Sequence, residues 1–191
     1  MAQNIEIEFK TLLSEKEYLH LLDIYAISEK DFHKQTNVYF DTPTQELKNK
    51  NCGLRIRLLD TSAEFTLKTP EKTGLLETTD ILTLKQANEY ILENALPANG
   101  EVAQKIAELG IQLDTIQTIG QLTTKRAEFA IDEGLLAIDE SWARNLHDYE
   151  LELEVQQTTS NRENFLNLLE KHGISYKPAD NKIKRMLTAL H

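Results

Sequence analysis

The chain has 191 residues, 40% of them hydrophobic and 27% charged, and its 31 acids against 21 bases leave a net charge of −10. That length is enough to bury a sizeable core within one domain, the acidic balance repels duplex nucleic acid, and a single cysteine, Cys52, excludes an internal disulfide and points to a reducing compartment. No apolar run approaches the ~18 residues of a membrane helix, and residues 1–15 carry no signal-peptide pattern, so a cytoplasmic protein without a membrane partner is expected.

Ile5 to Lys10 alternates without a break, Ile5, Ile7 and Phe9 against Glu6, Glu8 and Lys10, which is the period of a β-strand. Leu12 to Ile27 reads as a helix, with Ser14 and Glu17 as a capping box and Tyr18, Leu21, Leu22 and Tyr25 on one face. Gln35 to Asp41 is extended and ends at the turn Thr42-Pro43-Thr44, where proline fixes φ and removes a donor.

Gly53 to Leu59 sets Leu54, Ile56 and Leu58 on one face and Arg55 and Arg57 on the other. Two guanidinium groups about 7 Å apart along a strand repel by roughly 2 kcal/mol at an effective dielectric near 20. Solvent relieves that repulsion, and so does an anion. Glu64 to Thr69 repeats the alternation with Phe65 and Leu67 against Glu64, Thr66 and Lys68. After a break at Pro70 and Gly74, Leu75 to Leu82 is again extended and carries Glu77 and Thr79.

Lys85 to Ala95 and Glu101 to Leu109 are predicted as two short helices without site chemistry, separated by Pro97-Ala98-Asn99-Gly100. Strands resume at Ile119. Gln121 to Ala130 puts Leu122, Thr124, Arg126 and Glu128 on one face, with Lys125, Ala127 and Phe129 on the other. Asp132-Glu133-Gly134 is a hairpin signal before Leu135 to Asp139. His147 to Gln157 alternates Glu150, Glu152 and Glu154 with Leu151, Leu153 and Val155. Ser160 and Glu163 form a second capping box for a helix through Lys171, stopped by Gly173. Ala179 to Leu190 is predicted to be helical and carries Lys182, Lys184 and Arg185.

About eight strands with charged faces suggest a closed sheet, in which one face of every strand looks inward. With the charges outside, such a barrel has an apolar core. With the charges inside it is a water-filled tunnel whose outer, apolar faces need the amphipathic helices that the sequence supplies. Periodicity alone leaves the two open.

Glu6-Ile7-Glu8-Phe9-Lys10 resembles the ExExK signature of the CYTH family, also called the triphosphate tunnel metalloenzymes. Tyr39-Phe40-Asp41-Thr42, Leu54-Arg55-Ile56-Arg57, Lys68, Arg126, Asp139, Glu152-Leu153-Glu154 and Lys182 follow in the order and approximate spacing of that family, over residues 5–185. The nearest likeness is to its small single-domain members from Bacillus-like bacteria, often labelled adenylate cyclases. The resemblance implies an α+β fold over residues 1–191, an eight-stranded antiparallel β-barrel forming a tunnel covered by helices. It also implies a triphosphate held there with Mg²⁺ or Mn²⁺. Hard divalent ions take carboxylate oxygens, which Glu6, Glu8, Asp139, Glu152 and Glu154 offer as metal ligands. Phosphate oxygens take cations, arginine above all for its fork. Lys10, Arg55, Arg57, Lys68, Arg126, Lys182 and Arg185 are the candidates, and Glu6, Glu8, Arg57 and Glu154 the expected catalytic set. Glu77 and Glu128 share the parity of the arginines and are candidate partners for them, and Glu150 is a candidate further ligand.

Hydrolysis of inorganic triphosphate is the expected activity of a monomer or homodimer. Thiamine triphosphatases of the family tend to carry a tryptophan two positions before the first tunnel arginine, where Gly53 stands. Its class IV adenylate cyclases tend to carry His-Phe ahead of ExExK, where this chain has Gln3-Asn4-Ile5. A sensor that binds a polyphosphate or nucleotide without turnover is the alternative outside enzymology. His20, His33, His147, His172 and His191 lack metal-ligand spacing, and Trp142 reads as packing. No GxxxxGK[ST] loop is present, so a nucleotide is not bound in the P-loop manner.

Overall fold

A computed structural model describes residues 2–72, 74–155 and 161–189. In chain order the elements are β1 (Ala2–Leu13), α1 (Glu15–Ile24), β2 (Phe32–Asp41), α2 (Glu46–Asn49), β3 (Gly53–Leu58), β4 (Ala63–Pro70), β5 (Leu75–Leu82), α3 (Leu84–Glu93), α4 (Glu101–Glu108), β6 (Gln117–Ile131), β7 (Gly134–Ala143), β8 (Leu146–Val155), α5 (Arg162–Lys171) and α6 (Lys182–Ala189). The strands hydrogen-bond in the order β1-β5-β4-β3-β2-β6-β7-β8 and close as an eight-stranded barrel. The expected α+β barrel is therefore the fold. Two compact units make it up, one of Met1–Ile5 and Gln35–Leu122, the other of Glu6–Lys34 and Thr123–His191.

In the first unit β2 to β5 form an antiparallel meander. The registers Phe40↔Leu54, Ile56↔Phe65 and Leu54↔Leu67 gather the apolar side chains on one face. That face buries Val38, Phe40, Leu54, Ile56, Phe65 and Leu67 against Leu47 of α2, Ala87 of α3, and Val102 and Ile106 of α4. The two middle helices are thus packing elements, as their composition suggests. Thr83 caps α3, its hydroxyl accepting from Gln86 N while the Gln86 side chain accepts from Thr83 N. The Asp80 carboxylate accepts from Glu101 N at 3.2 Å and Val102 N at 3.0 Å and so starts α4.

In the second unit β1 pairs with β8, β8 with β7 and β7 with β6. Leu13, Leu136, Ile138, Leu151, Leu153 and Val155 are buried there against Tyr18 and Leu21 of α1 and Phe165, Leu168 and Leu169 of α5. Several expected boundaries move. Leu12 and Leu13 belong to β1, because Ser14 is extended (φ −75°, ψ 159°) and is itself the N-cap. Helix α1 ends at Ile24, with Tyr25 as C-cap. Helix α5 is capped by Asn161, whose side-chain oxygen accepts from Glu163 N and Asn164 N; Ser160, the expected cap, lies outside the described residues, as does Gln157. Helix α6 begins at Lys182 rather than near Ala179, and Leu190 is also outside the described residues.

Two features had no sequence signal. After Thr42-Pro43-Thr44 the chain forms the four-residue helix α2, and the Asp41 carboxylate organises it by accepting from Thr42 N (2.7 Å), Leu47 N (2.9 Å) and Lys48 N (3.1 Å). Strands β7 and β8 are joined by a tight hairpin, with Ala143 opposite Leu146.

Candidate functional site

Each unit gathers charge on the sheet face opposite its apolar cluster, and the pairing registers decide which charges meet. In the second unit Glu8 stands opposite Glu154 and Lys10 opposite Glu152 across β1 and β8. Asp139 is opposite Glu150 across β7 and β8, and Arg126 opposite Asp139 across β6 and β7. Four strands thus bring seven of the predicted acids and bases into one polar patch. Lys125, next to Arg126 in the chain, points the other way, where its Nζ lies 2.8 Å from the Glu29 carboxylate and 4.3 Å from the centre of the Phe32 ring.

Ion pairs fill this patch. Arg126 forks onto Asp139, donating from Nε to Oδ1 at 2.8 Å and from Nη2 to Oδ2 at 2.7 Å. It also donates from Nη2 to Glu152 Oε2, and from Nη1 to Glu128 Oε2 at 3.2 Å. Lys182 reaches in from the start of α6 and places Nζ 2.5 Å from Glu152 Oε1, 2.9 Å from Asp139 Oδ2 and 3.1 Å from Glu150 Oε2. Arg185, one turn on, pairs with Asp148 Oδ2 at 2.8 Å and with Glu150 Oε2. Lys10 Nζ lies 2.5 Å from Glu8 Oε1. Glu6 and Glu154 are half-buried.

Burial and charge compete at these groups. Burial favours the neutral acid at Asp139 and Glu152, but Arg126 and Lys182 outweigh it and hold Asp139 low and Glu152 well below the usual carboxylate range. At Glu150 burial prevails and its carboxyl is raised. Burial works against the cations too. Even so, Glu152, Asp139 and Glu150 keep Lys182 firmly protonated, and Glu8 and Glu152 do the same for Lys10.

The first unit holds the two guanidinium groups of β3, Arg55 and Arg57. Arg55 Nη2 donates to Glu77 Oε1 at 3.2 Å, and Lys68 Nζ shares the same oxygen at 3.1 Å. Arg57 Nε donates to Asn37 Oδ1 at 3.0 Å, and its Nη1 is 3.6 Å from Glu64 Oε2. Burial pushes the Glu77 carboxyl up, but Lys68 and Arg55 bring it below its ordinary value. Arg55 Nε is buried with no partner among the described residues. Glu77 and Glu128 do pair with the arginines, as parity suggests. Asn37 and Asp148 were not anticipated. Asn37 was legible, since it alternates with Val38 and so shares a face with its register partner Arg57.

The carboxylates of the second unit's patch outnumber its cations, and all are hard oxygen donors of the kind Mg²⁺ and Mn²⁺ accept. Glu150 Oε1 and Asp148 Oδ1 are buried without partners among the described residues, so acceptor capacity is left over. Among the described residues no three His, Cys, Asp or Glu side chains are already arranged as a metal cage. Lys182 and Arg126 draw those oxygens to themselves. The donor chemistry fits a divalent cation, with Lys182 as its competitor. Elsewhere His147 Nε2 pairs with Glu140 Oε1 and Tyr25 Oη with His172 Nε2, both at 2.9 Å, and Trp142 packs edge-on to His147.

A closed eight-stranded barrel with opposed carboxylate strands and a separate guanidinium strand defines a class, and comparison with known proteins agrees. The profile of the CYTH domain family matches residues 4–187, and the chain belongs to that family. It is 38% identical over 185 residues to "Putative triphosphatase YjbK" of Bacillus subtilis (strain 168), covering 97% of this chain and 95% of that protein. A crystal structure described as a putative adenylate cyclase from Bacillus halodurans superposes with a TM-score of 0.91 at 37% identity, covering 97% of this chain and 98% of that one. A structure described as a putative adenylyl cyclase from Hippeastrum with a dominant triphosphatase activity shares the fold at a TM-score of 0.81 and 23% identity, over 96% of each chain. CYTH membership implies a divalent metal ion. Among the described residues no helix is long and apolar enough to cross a membrane.

Proposed function

We propose that this chain is a metal-dependent triphosphatase, acting as one CYTH domain in the cytoplasm, with inorganic triphosphate as its first substrate. The observation that carries this reading is the β1–β8 register, which sets Glu8 opposite Glu154 and Lys10 opposite Glu152, while the guanidinium groups of Arg55 and Arg57 share a strand of their own. Carboxylates repel one another, and so do guanidinium groups. A triphosphate with its metal relieves both. The 38% identity to a protein named as a triphosphatase supports the same reaction.

Glu6, Glu8, Asp139, Glu152 and Glu154 are the residues that would hold the metal, which when bound offsets the charge on the phosphate oxygens and acidifies bound water. Arg55 and Arg57, anchored by Glu77 and Asn37, hold the phosphate chain with Lys68, Arg126 and Lys10. Glu154 orients the attacking water. Lys182 leaves the carboxylates and turns its ammonium to a phosphate oxygen. Arg185 flanks the chain, its guanidinium anchored by Asp148 and Glu150.

Purified protein is assayed for phosphate release from inorganic triphosphate, ATP and thiamine triphosphate, with Mg²⁺ or Mn²⁺ and with EDTA. Metal-dependent release from triphosphate is expected, with a loss of at least a hundredfold in Glu6→Gln and Glu152→Gln. Full activity in either variant would falsify the assignment. Because the Bacillus halodurans relative is described as an adenylate cyclase, the ATP arm also measures pyrophosphate and cyclic AMP. Binding of triphosphate without phosphate release would indicate a sensor.

A further inference from the structure

Asn37 of β2 stands opposite Arg57 of β3 and is only 2% exposed. Its Oδ1 accepts a hydrogen bond from Arg57 Nε at 3.0 Å. We propose that Asn37 is a specificity-determining residue: its neutral amide fixes Arg57 without cancelling the guanidinium charge, and that charge favours longer, more highly charged phosphate chains over shorter ones. The inference rests on the triphosphatase reading, which puts phosphate at Arg57, and adds what selects the length of the chain.

Three observations carry it. The first is a contrast between arginines. Arg55 donates to Glu77 at 3.2 Å, Arg126 forks onto Asp139, and Arg185 Nε donates to Asp148 at 2.8 Å. Each of those hydrogen bonds ends on a carboxylate, whereas the Arg57 Nε bond ends on an amide. An aspartate at 37 would have nearly the same shape and make a bond about twice as strong. The anchor present is therefore the weaker of two isosteric ones, and what it preserves is charge. The second observation is the position of Glu64. Its carboxylate is 3.6 Å from Arg57 Nη1, in ion-pair range but beyond a good hydrogen bond, and its side chain is 28% exposed, so water screens it. The third is burial. A buried amide is costly unless it is bonded, so the Asn37–Arg57 pair is formed before any ligand arrives, which saves ordering entropy. A guanidinium only donates, so the amide oxygen must face Nε. Because the group is planar and rigid, fixing Nε also fixes the edge formed by Nη1 and Nη2, which has the fork geometry that phosphate oxygens take.

Equilibrium binding of orthophosphate, pyrophosphate and inorganic triphosphate is measured in EDTA for the wild type, Asn37→Asp, Asn37→Ala and Glu64→Gln. Each is measured at low salt and at ~1 M salt, where the Debye length is ~3 Å. At low salt Asn37→Asp should bind triphosphate roughly tenfold more weakly, with a smaller loss for pyrophosphate and the smallest for orthophosphate. That graded loss should shrink at high salt. Asn37→Ala keeps the charge and removes only the anchor, so its severalfold loss should be alike for the three anions and at both salt concentrations. Glu64→Gln removes a negative charge beside Arg57 and should tighten binding in the same graded order, which tests the idea even if Asn37→Asp folds poorly. No loss in Asn37→Asp, a loss equal for all three anions, or an ungraded response in Glu64→Gln overturns the inference. Hydrolysis of triphosphate by the wild type is measured separately with Mn²⁺. Graded binding without phosphate release leaves the role of Asn37 standing and sinks the triphosphatase reading, and hydrolysis without the gradation does the reverse. No triphosphate binding to the wild type removes both.

Discussion

Lys182 and Glu152 are 30 residues apart in the chain, and their side chains meet at 2.5 Å with the ammonium also 2.9 Å from Asp139. In the proposed metal site a divalent cation would compete with this ammonium for the same carboxylates. Lys182→Met in EDTA should lose about 3–5 kcal/mol of unfolding free energy, the scale of a buried pair stripped of one partner. With saturating Mn²⁺ the loss should shrink, because the ion neutralises the same carboxylates. Denaturant unfolding under the two conditions measures this, and an equal loss in both would refute the competition.

Glu77 has a different part, since it pairs with Arg55 and Lys68. With Glu77→Gln, Arg55 and Lys68 lose a charged anchor, and the expected effect is on substrate binding. The KM for triphosphate should rise about fivefold, equivalent to roughly 1 kcal/mol, with little change in kcat. Steady-state kinetics separates that from a loss confined to kcat.

Asp41 lies within the stretch that resembles the family, yet its carboxylate is spent on three backbone N–H groups around the start of α2. Asp41→Ala should destabilise the fold by about 1–3 kcal/mol and leave the KM for triphosphate unchanged. Thermal unfolding and kinetics on one preparation test both halves.

The Glu17 carboxyl is brought to about 2 despite partial burial, because Lys177 and Ser14 bond to it. Its folded value lies below its ordinary 4.5, so its contribution to stability is complete above pH ~4.5 and is lost as the pH falls towards ~2. Glu17→Gln should be less stable than the wild type by on the order of 1 kcal/mol at pH 7, and the gap should close across that acid window. Unfolding curves from pH 7 to pH 2 give the sign directly.

Period-two alternation was enough to find all eight strands of the barrel and to sort the charges of each strand onto one side, but not to say which side looks inward. It even separated Arg126 from Lys125, because the hydrophobic partners Ala127 and Phe129 fix the parity. What alternation could not show were contacts set by a single polar side chain or by distance along the chain. Helix α2 is four mostly polar residues held by Asp41, with no apolar period to detect. The cap of α5 moved from Ser160 to Asn161, one position away in a run of polar residues that all cap well. The grip of Lys182 on Asp139, Glu150 and Glu152 depends on where α6 docks, and spacing in the sequence carries no record of it.

Gly134 closes the β6–β7 turn opposite Ile131 at φ +154°, and a Cβ there would stand 2.2 Å from the Glu154 carbonyl oxygen. The turn between them is two residues long, and with the burial of Ala127 it holds the register that sets Arg126 opposite Asp139. One residue more or fewer would reverse the strand, sending the fork outward and a lone ammonium inward. In this hairpin the length of the turn and the missing side chain at Gly134 act together: one keeps the register of β6 on β7, the other leaves room for the Glu154 carbonyl.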